Sequence, residues 1–97
     1  MNTENLKTNL PLEATYMELG KFYFLNNKYD EAVSEFKKVL EINPANAEAY
    51  YNIGLIKESS NLIDDAKEMY SKALSINSEY KIVKDRLDKL IGIENKS

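Results

Sequence analysis

The 97-residue chain is 43% apolar and 30% charged, with a formal net charge of −3 and a pI near 5.0. That describes one globular domain and excludes a disordered chain or a general attraction to nucleic acid. Without cysteine or histidine, disulfides, thiolate metal sites and the commonest general base are excluded, and no apolar run approaches the ~20 residues that span a bilayer.

Residues 1–11 are polar apart from isolated leucines and end at Pro11, which disfavours helix in the residue before it. They carry neither the basic start nor the apolar middle of a secretory signal, so the expectation is a flexible leader in a cytoplasmic protein. An alternative makes Leu6, Leu10 and Leu12 a flap over the first helix. That helix is expected over about 12–26, with Tyr16, Leu19, Phe22 and Tyr23 at spacings of three and four forming one apolar stripe. Gly20 costs a helix roughly 1 kcal/mol against Ala, which points to close approach of a partner helix. Asn27 ends the segment, Asn being the next-best residue after Gly for a left-handed cap.

A second helix is expected over about 29–42, with acids Asp30 and Glu31 at the positive end of its dipole and Ala32, Phe36, Val39 and Leu40 inward. Asn43-Pro44 closes it. A third, about 46–60, opens on Ala47-Glu48-Ala49-Tyr50. A fourth, about 63–76, turns Ala66, Met69, Tyr70, Ala73 and Leu74 inward, and Ser78 stands where Pro44 stood. A last helix, about 79–92, offers Val83, Leu87, Leu90 and Ile91 on one side and charges elsewhere, with Gly92 as its stop and residues 93–97 as a disordered tail.

The segments are two copies of one unit. At a period of 34 residues the pairs Tyr16/Tyr50, Gly20/Gly54, Asn27/Asn61, Asp30/Asp64, Ala32/Ala66, Lys38/Lys72, Leu40/Leu74, Ile42/Ile76 and Asn43/Asn77 are identical. This skeleton resembles the tetratricopeptide repeat, with Tyr in place of the usual Trp. The resemblance implies an all-α fold of antiparallel helix-turn-helix repeats, about five helices in all. Repeat 1 would span 13–46, repeat 2 would span 47–80, and a capping helix at 79–92 would complete a domain over 12–92.

The resemblance further implies that the first helices of successive repeats line a concave groove. Its candidate peptide-binding residues are Met17, Glu18 and Lys21, then Tyr51, Asn52 and Leu55, then Ile82, Arg86 and Lys89. Ala14, Glu48 and Asp85 face the same way. Such a mixture suits a peptide with one or two apolar anchors and an acidic group. Chaperone-binding members of the family grip a C-terminal carboxylate with five Lys, Asn and Arg side chains. Asn52 and Arg86 match two of those positions, whereas Met17, Lys21 and Ile82 occupy the other three, so a groove without the full clamp is the expectation.

Other candidates have plainer explanations. Asp64, Asp65 and Glu68 lack the glycine and spacing of a calcium loop and serve the helix dipole. Tyr16, Tyr23, Tyr50 and Tyr70 are core-facing by their spacing, and no base accompanies Ser59, Ser60 or Ser71. The reading is therefore a non-enzymatic adaptor or scaffold for a protein or peptide partner, with no cofactor, metal, nucleic acid or membrane. The alternative is a structural module that forms a homo-oligomer through the uncapped first repeat, where Phe22, Phe24 and Leu25 exceed what one core hides.

Overall fold

The computed structural model describes residues 11–95. The expected flap residues Leu6 and Leu10, and residues 96–97 of the expected tail, lie outside the described residues. Five helices follow in order, α1 (Leu12–Leu25), α2 (Tyr29–Ile42), α3 (Ala47–Ser59), α4 (Ile63–Ile76) and α5 (Lys81–Asn95), and no strand occurs among the described residues. α1 packs chiefly on α2 and α3 on α4, while α5 lies against α4.

Asparagine sets the turns within each hairpin. Asn27 and Asn61 adopt left-handed φ of 61° and 60°, as expected for residues that tolerate that region. Around Asn27, the amide of Lys28 donates to the Tyr23 carbonyl at 2.8 Å and that of Asn27 to Phe24 at 3.0 Å. Leu62 and Asn61 repeat both bonds on Lys57 and Glu58, at 2.8 and 3.0 Å. These are the paired bonds of a Schellman cap, which satisfy carbonyls that the helix end leaves open.

Between hairpins, Asn43 accepts from the Ala45 amide at 3.0 Å and Asn77 from the Glu79 amide at 3.1 Å. Ser78 therefore replaces Pro44 without loss of the turn, because the asparagine side chain makes it. Asn46 caps α3 by accepting from the Ala49 amide at 2.9 Å. Glu13 receives hydrogen bonds from Asn43 and Asn46 at 2.8 and 2.7 Å, which hold its carboxyl below the usual carboxylate range and pin the start of α1 to this turn.

The core forms two clusters. The first holds Met17, Ala32, Phe36, Val39, Ala49, Ile53 and Ile56, and the second holds Ala66, Tyr70, Ala73, Val83 and Leu90. The mid-helix glycines are placed by contact with a ring. A Cβ built on Gly20 would lie 2.5 Å from Phe36, and one on Gly54 would lie 2.4 Å from Tyr70. Gly20 and Ala32 are both buried, but the atoms that exclude a side chain at Gly20 belong to Phe36. The expected close approach is therefore a helix backbone seated on a ring one turn beyond Ala32.

Two expectations are corrected. The stripe assigned to α1 divides: Met17 and Gly20 face inward, with Tyr16 and Tyr23 half-buried, whereas Leu19 and Phe22 point outward at 39% and 58% exposure. Apolar residues occur on two sides of this helix, so spacing alone assigned both sets to one core. The last helix starts at Lys81, after the Asn77 turn, and passes through Gly92 to Asn95. Gly92 stops nothing because no glycine has a positive φ, and propensity alone opposes the helix there by only about 1 kcal/mol.

The glycines therefore respond oppositely to alanine. Gly54→Ala overpacks the Tyr70 ring and should lower unfolding free energy by about 1–3 kcal/mol despite better helix propensity, whereas Gly92→Ala, whose new methyl would meet nothing within 4 Å beyond its own stretch of helix, should raise it by about 0.5–1 kcal/mol. Urea denaturation checks both; equal effects at the two sites would contradict the ring contact.

Candidate functional site

α1, α3 and α5 supply the candidate side chains. Lys21 Nζ of α1 meets Glu48 Oε2 of α3 at 2.9 Å, with Glu18 at 3.6 Å, and Arg86 Nη1 of α5 meets Glu58 Oε1 of α3 at 3.1 Å. A recess of about 310 Å³ opens between α1 and α3, lined by Pro11, Glu13, Ala14, Met17, Glu18, Lys21, Asn46 and Glu48.

The expected residues divide by depth. Met17 and Asn52 are buried at 5% and 7% exposure, and Asn52 Nδ2 donates to its own helix at the Glu48 carbonyl, 2.9 Å away. They form floor. Lys21, Tyr51, Leu55 and Arg86 are half-buried, and Glu18, Ile82 and Lys89 are exposed. Tyr51 lies between Tyr80 and Tyr70, at ring-centroid separations of 5.6 and 6.1 Å. The geometry thus brings Met17, Glu18 and Lys21 into one recess with Glu48 and links Arg86 to α3, whereas Ile82 and Lys89 stand in the open on α5.

Electrostatics follow from these pairs. The hydrogen bond from Lys21 to Glu48 raises the lysine pKa in spite of partial burial. Burial works against the charge of Arg86, but the Glu58 carboxylate outweighs it and the balance is upward. Tyr70 donates to the same Glu58 oxygen at 2.7 Å; burial, then this bond and its charge, push the phenol well above 10.0. Tyr80 is raised by burial first and by neighbouring Glu48 and Tyr51.

Glu58 is the residue sequence reasoning missed. Its register partner in the first copy is Phe24, so the repeat pattern carries no sign of it. The cue lies in Tyr70, whose hydroxyl has no counterpart on Phe36 and needs an acceptor when buried. On another side of the hairpins, Lys38 sits over the Tyr16 ring at 5.2 Å and Lys72 over Tyr50 at 5.8 Å, a cation–π pair that accounts for two identities between the copies. Lys57, in register with Tyr23, lines a recess of about 350 Å³ with Leu40, Tyr50 and Met69. Among the described residues no group of three or more acidic side chains is placed to hold a metal ion, and no helix is long and apolar enough to cross a membrane.

Fold and site define a helical-hairpin repeat protein. Residues 20–61 match the family model described as a TPR repeat and residues 47–80 match that of the tetratricopeptide repeat, so together the matches run from 20 to 80. The chain belongs to the tetratricopeptide-repeat family, whose repeats generally mediate protein–protein interaction and are typically non-catalytic.

It is 37% identical over 82 residues to the TPR repeat-containing protein MJ0263 of Methanocaldococcus jannaschii, covering 84% of this chain and 24% of that protein. It is 29% identical over 70 residues to the protein O-mannosyl-transferase TMTC1 of Homo sapiens, covering 72% of this chain and 8% of that protein. The chain thus spans a quarter or less of these relatives. Among solved structures it resembles MamA, with a TM-score of 0.80 and 24% identity over 86% of this chain and 48% of that one. It also resembles the first TPR of Spaghetti (RPAP3) bound to the HSP90 peptide SRMEEVD, with a TM-score of 0.55 and 17% identity over 86% and 93% of the two chains.

The Tyr70 phenol gives a pH test. Unfolded, it ionises near 10.0, while the folded chain keeps the proton to a higher pH. The unfolded state therefore binds fewer protons above pH 10.0, and stability falls as pH rises, by up to about 1.4 kcal/mol per unit for one group. Tyr70→Phe should reduce this alkaline slope, measured as urea midpoints across a pH series; an unchanged slope would separate Tyr70 from the effect.

Proposed function

We propose that this chain is a protein-interaction module of the adaptor or scaffold kind, acting in the cytoplasm. It takes a peptide segment of a partner protein along the side formed by α1, α3 and α5. What supports the reading is that Lys21, Tyr51, Leu55 and Arg86, two cations and two side chains with apolar surface, come from α1, α3 and α5 and are none of them fully buried. Glu18, Ile82 and Lys89 form the rim of this groove, and Met17 and Asn52 its floor.

The peptide has an apolar residue for Tyr51 and Leu55 and a carboxylate for Lys21 or Arg86. Those cations already hold Glu48 and Glu58, which is how they would hold a partner's acid. The peptide-bound relative of like fold supports this mode of use, although this chain has only Asn52 and Arg86 of the carboxylate clamp.

A random heptapeptide library panned against the full chain should yield ligands that combine an apolar and an acidic residue. The Tyr51→Ala/Arg86→Ala variant should bind them at least tenfold more weakly, a loss of about 1.4 kcal/mol, with its helical circular dichroism retained. Unchanged affinity in that variant would place the binding surface elsewhere.

A further inference from the structure

We propose that the recess between α2, α3 and α4 binds a small aromatic carboxylate, its ring against Tyr50 and Met69 and its carboxylate on Lys57 and Lys37. This goes beyond the peptide groove and shares no residue with it. The recess measures about 350 Å³, at the lower end of the ~300–1,000 Å³ range of small-molecule sites. Leu40, Tyr50, Ile53 and Met69 supply its apolar wall, Ile53 buried and the others half-buried.

The first copy of the repeat shows what the second has exchanged. Tyr23, 34 residues before Lys57, is half-buried and packs against the first core cluster. Glu35 stands 34 residues before Met69. From the first copy to the second this pair of positions passes from a ring and an acid to a cation and a thioether, and its net charge turns from −1 to +1. The neighbours of the pair are kept, since Lys38 over Tyr16 recurs as Lys72 over Tyr50. The second hairpin thus retains one ring with its covering lysine, gives up the other ring and puts a cation in its place.

Charge decides the sign of the occupant. Glu68 also lines the recess, but it holds Lys72 at 3.6 Å. Asp65 is exposed in the first turn of α4, where the helix dipole favours an acid. Among the described residues, neither Lys37 nor Lys57 makes an ion pair or a side-chain hydrogen bond. Both also line an adjoining recess with Asp30, Lys38 and Glu41, so they stand at the boundary between an apolar space and a polar one. A carboxylate at that boundary keeps its hydration on one side and meets two ammonium groups on the other. The attached ring then reaches Tyr50 and the Met69 sulfur, both good partners for an aromatic face or edge.

The probe is phenylacetate, titrated into the full chain near neutral pH and followed by the methyl resonances of Met69 and Leu40. Both should shift and saturate with a dissociation constant in the millimolar range, as suits a ligand of about ten heavy atoms. Phenylacetamide keeps the ring without the charge, and hexanoate keeps the charge without the ring; each should bind at least tenfold more weakly. Lys57→Met and Lys37→Met, which keep the stem and remove the charge, should each weaken phenylacetate binding severalfold. Lys57→Tyr, which restores the residue of the first copy, should fill the recess and abolish binding with helical circular dichroism unchanged. Absence of shifts at Met69 and Leu40 up to tens of millimolar probe would overturn the proposal. So would equal affinity for phenylacetamide or hexanoate, a comparison on the unaltered chain that holds even where a variant fails to fold. Undiminished binding by a folded Lys57→Tyr chain would overturn it as well.

Discussion

The contact on which the rest depends is a helix backbone resting on an aromatic ring. With no side chain at Gly20 or Gly54, the rings of Phe36 and Tyr70 lie closer to α1 and α3 than any Cβ permits, and both rings are fully buried. A mid-helix glycine gives up about 1 kcal/mol of propensity, and burying an aromatic side chain returns more. The contact fixes how each hairpin closes, and it recurs at the 34-residue interval of the repeat.

The two rings differ by one hydroxyl, and that atom shapes the second half of the molecule. Phe36 needs no polar partner, and the residue in register with Glu58 in the first hairpin is Phe24. Tyr70 buries a phenol, so α3 carries Glu58 to accept from it, and the same carboxylate oxygen receives Arg86 from α5. A ring substitution inside one repeat thereby acquires a charged brace to α5.

The hairpins were legible because their signals are local and repeated. Gly20/Gly54, Asn27/Asn61 and Asn43/Asn77 each report a backbone requirement, a close approach or a turn, that the structure bears out at both copies. Features arising between repeats or at the ends of the array were less legible. Periodicity shows that Leu19 and Phe22 are apolar and helical but not whether another helix covers them, so it placed them in the core. Lys21–Glu48 and Arg86–Glu58 join residues 27 and 28 positions apart, and no helical spacing brings such pairs together. Gly92 was misread because a glycine ends a helix through a positive φ, and composition does not report φ.

On the proposed reading of the groove, these cross-helix pairs also decide where binding energy comes from. Lys21 and Glu48 are 38% and 47% exposed at the side chain, and Arg86 and Glu58 are 40% and 26% exposed, so each is a partly solvated pair worth about 0–1 kcal/mol. A partner's carboxylate that displaces Glu48 or Glu58 exchanges one such pair for another and gains little net energy. Affinity must then come from apolar surface at Tyr51 and Leu55, where the removal of water is not offset by a broken bond. The cations set charge selectivity and the rate of encounter, since an apolar peptide without an acid leaves the internal pairs intact and one with a basic group meets repulsion.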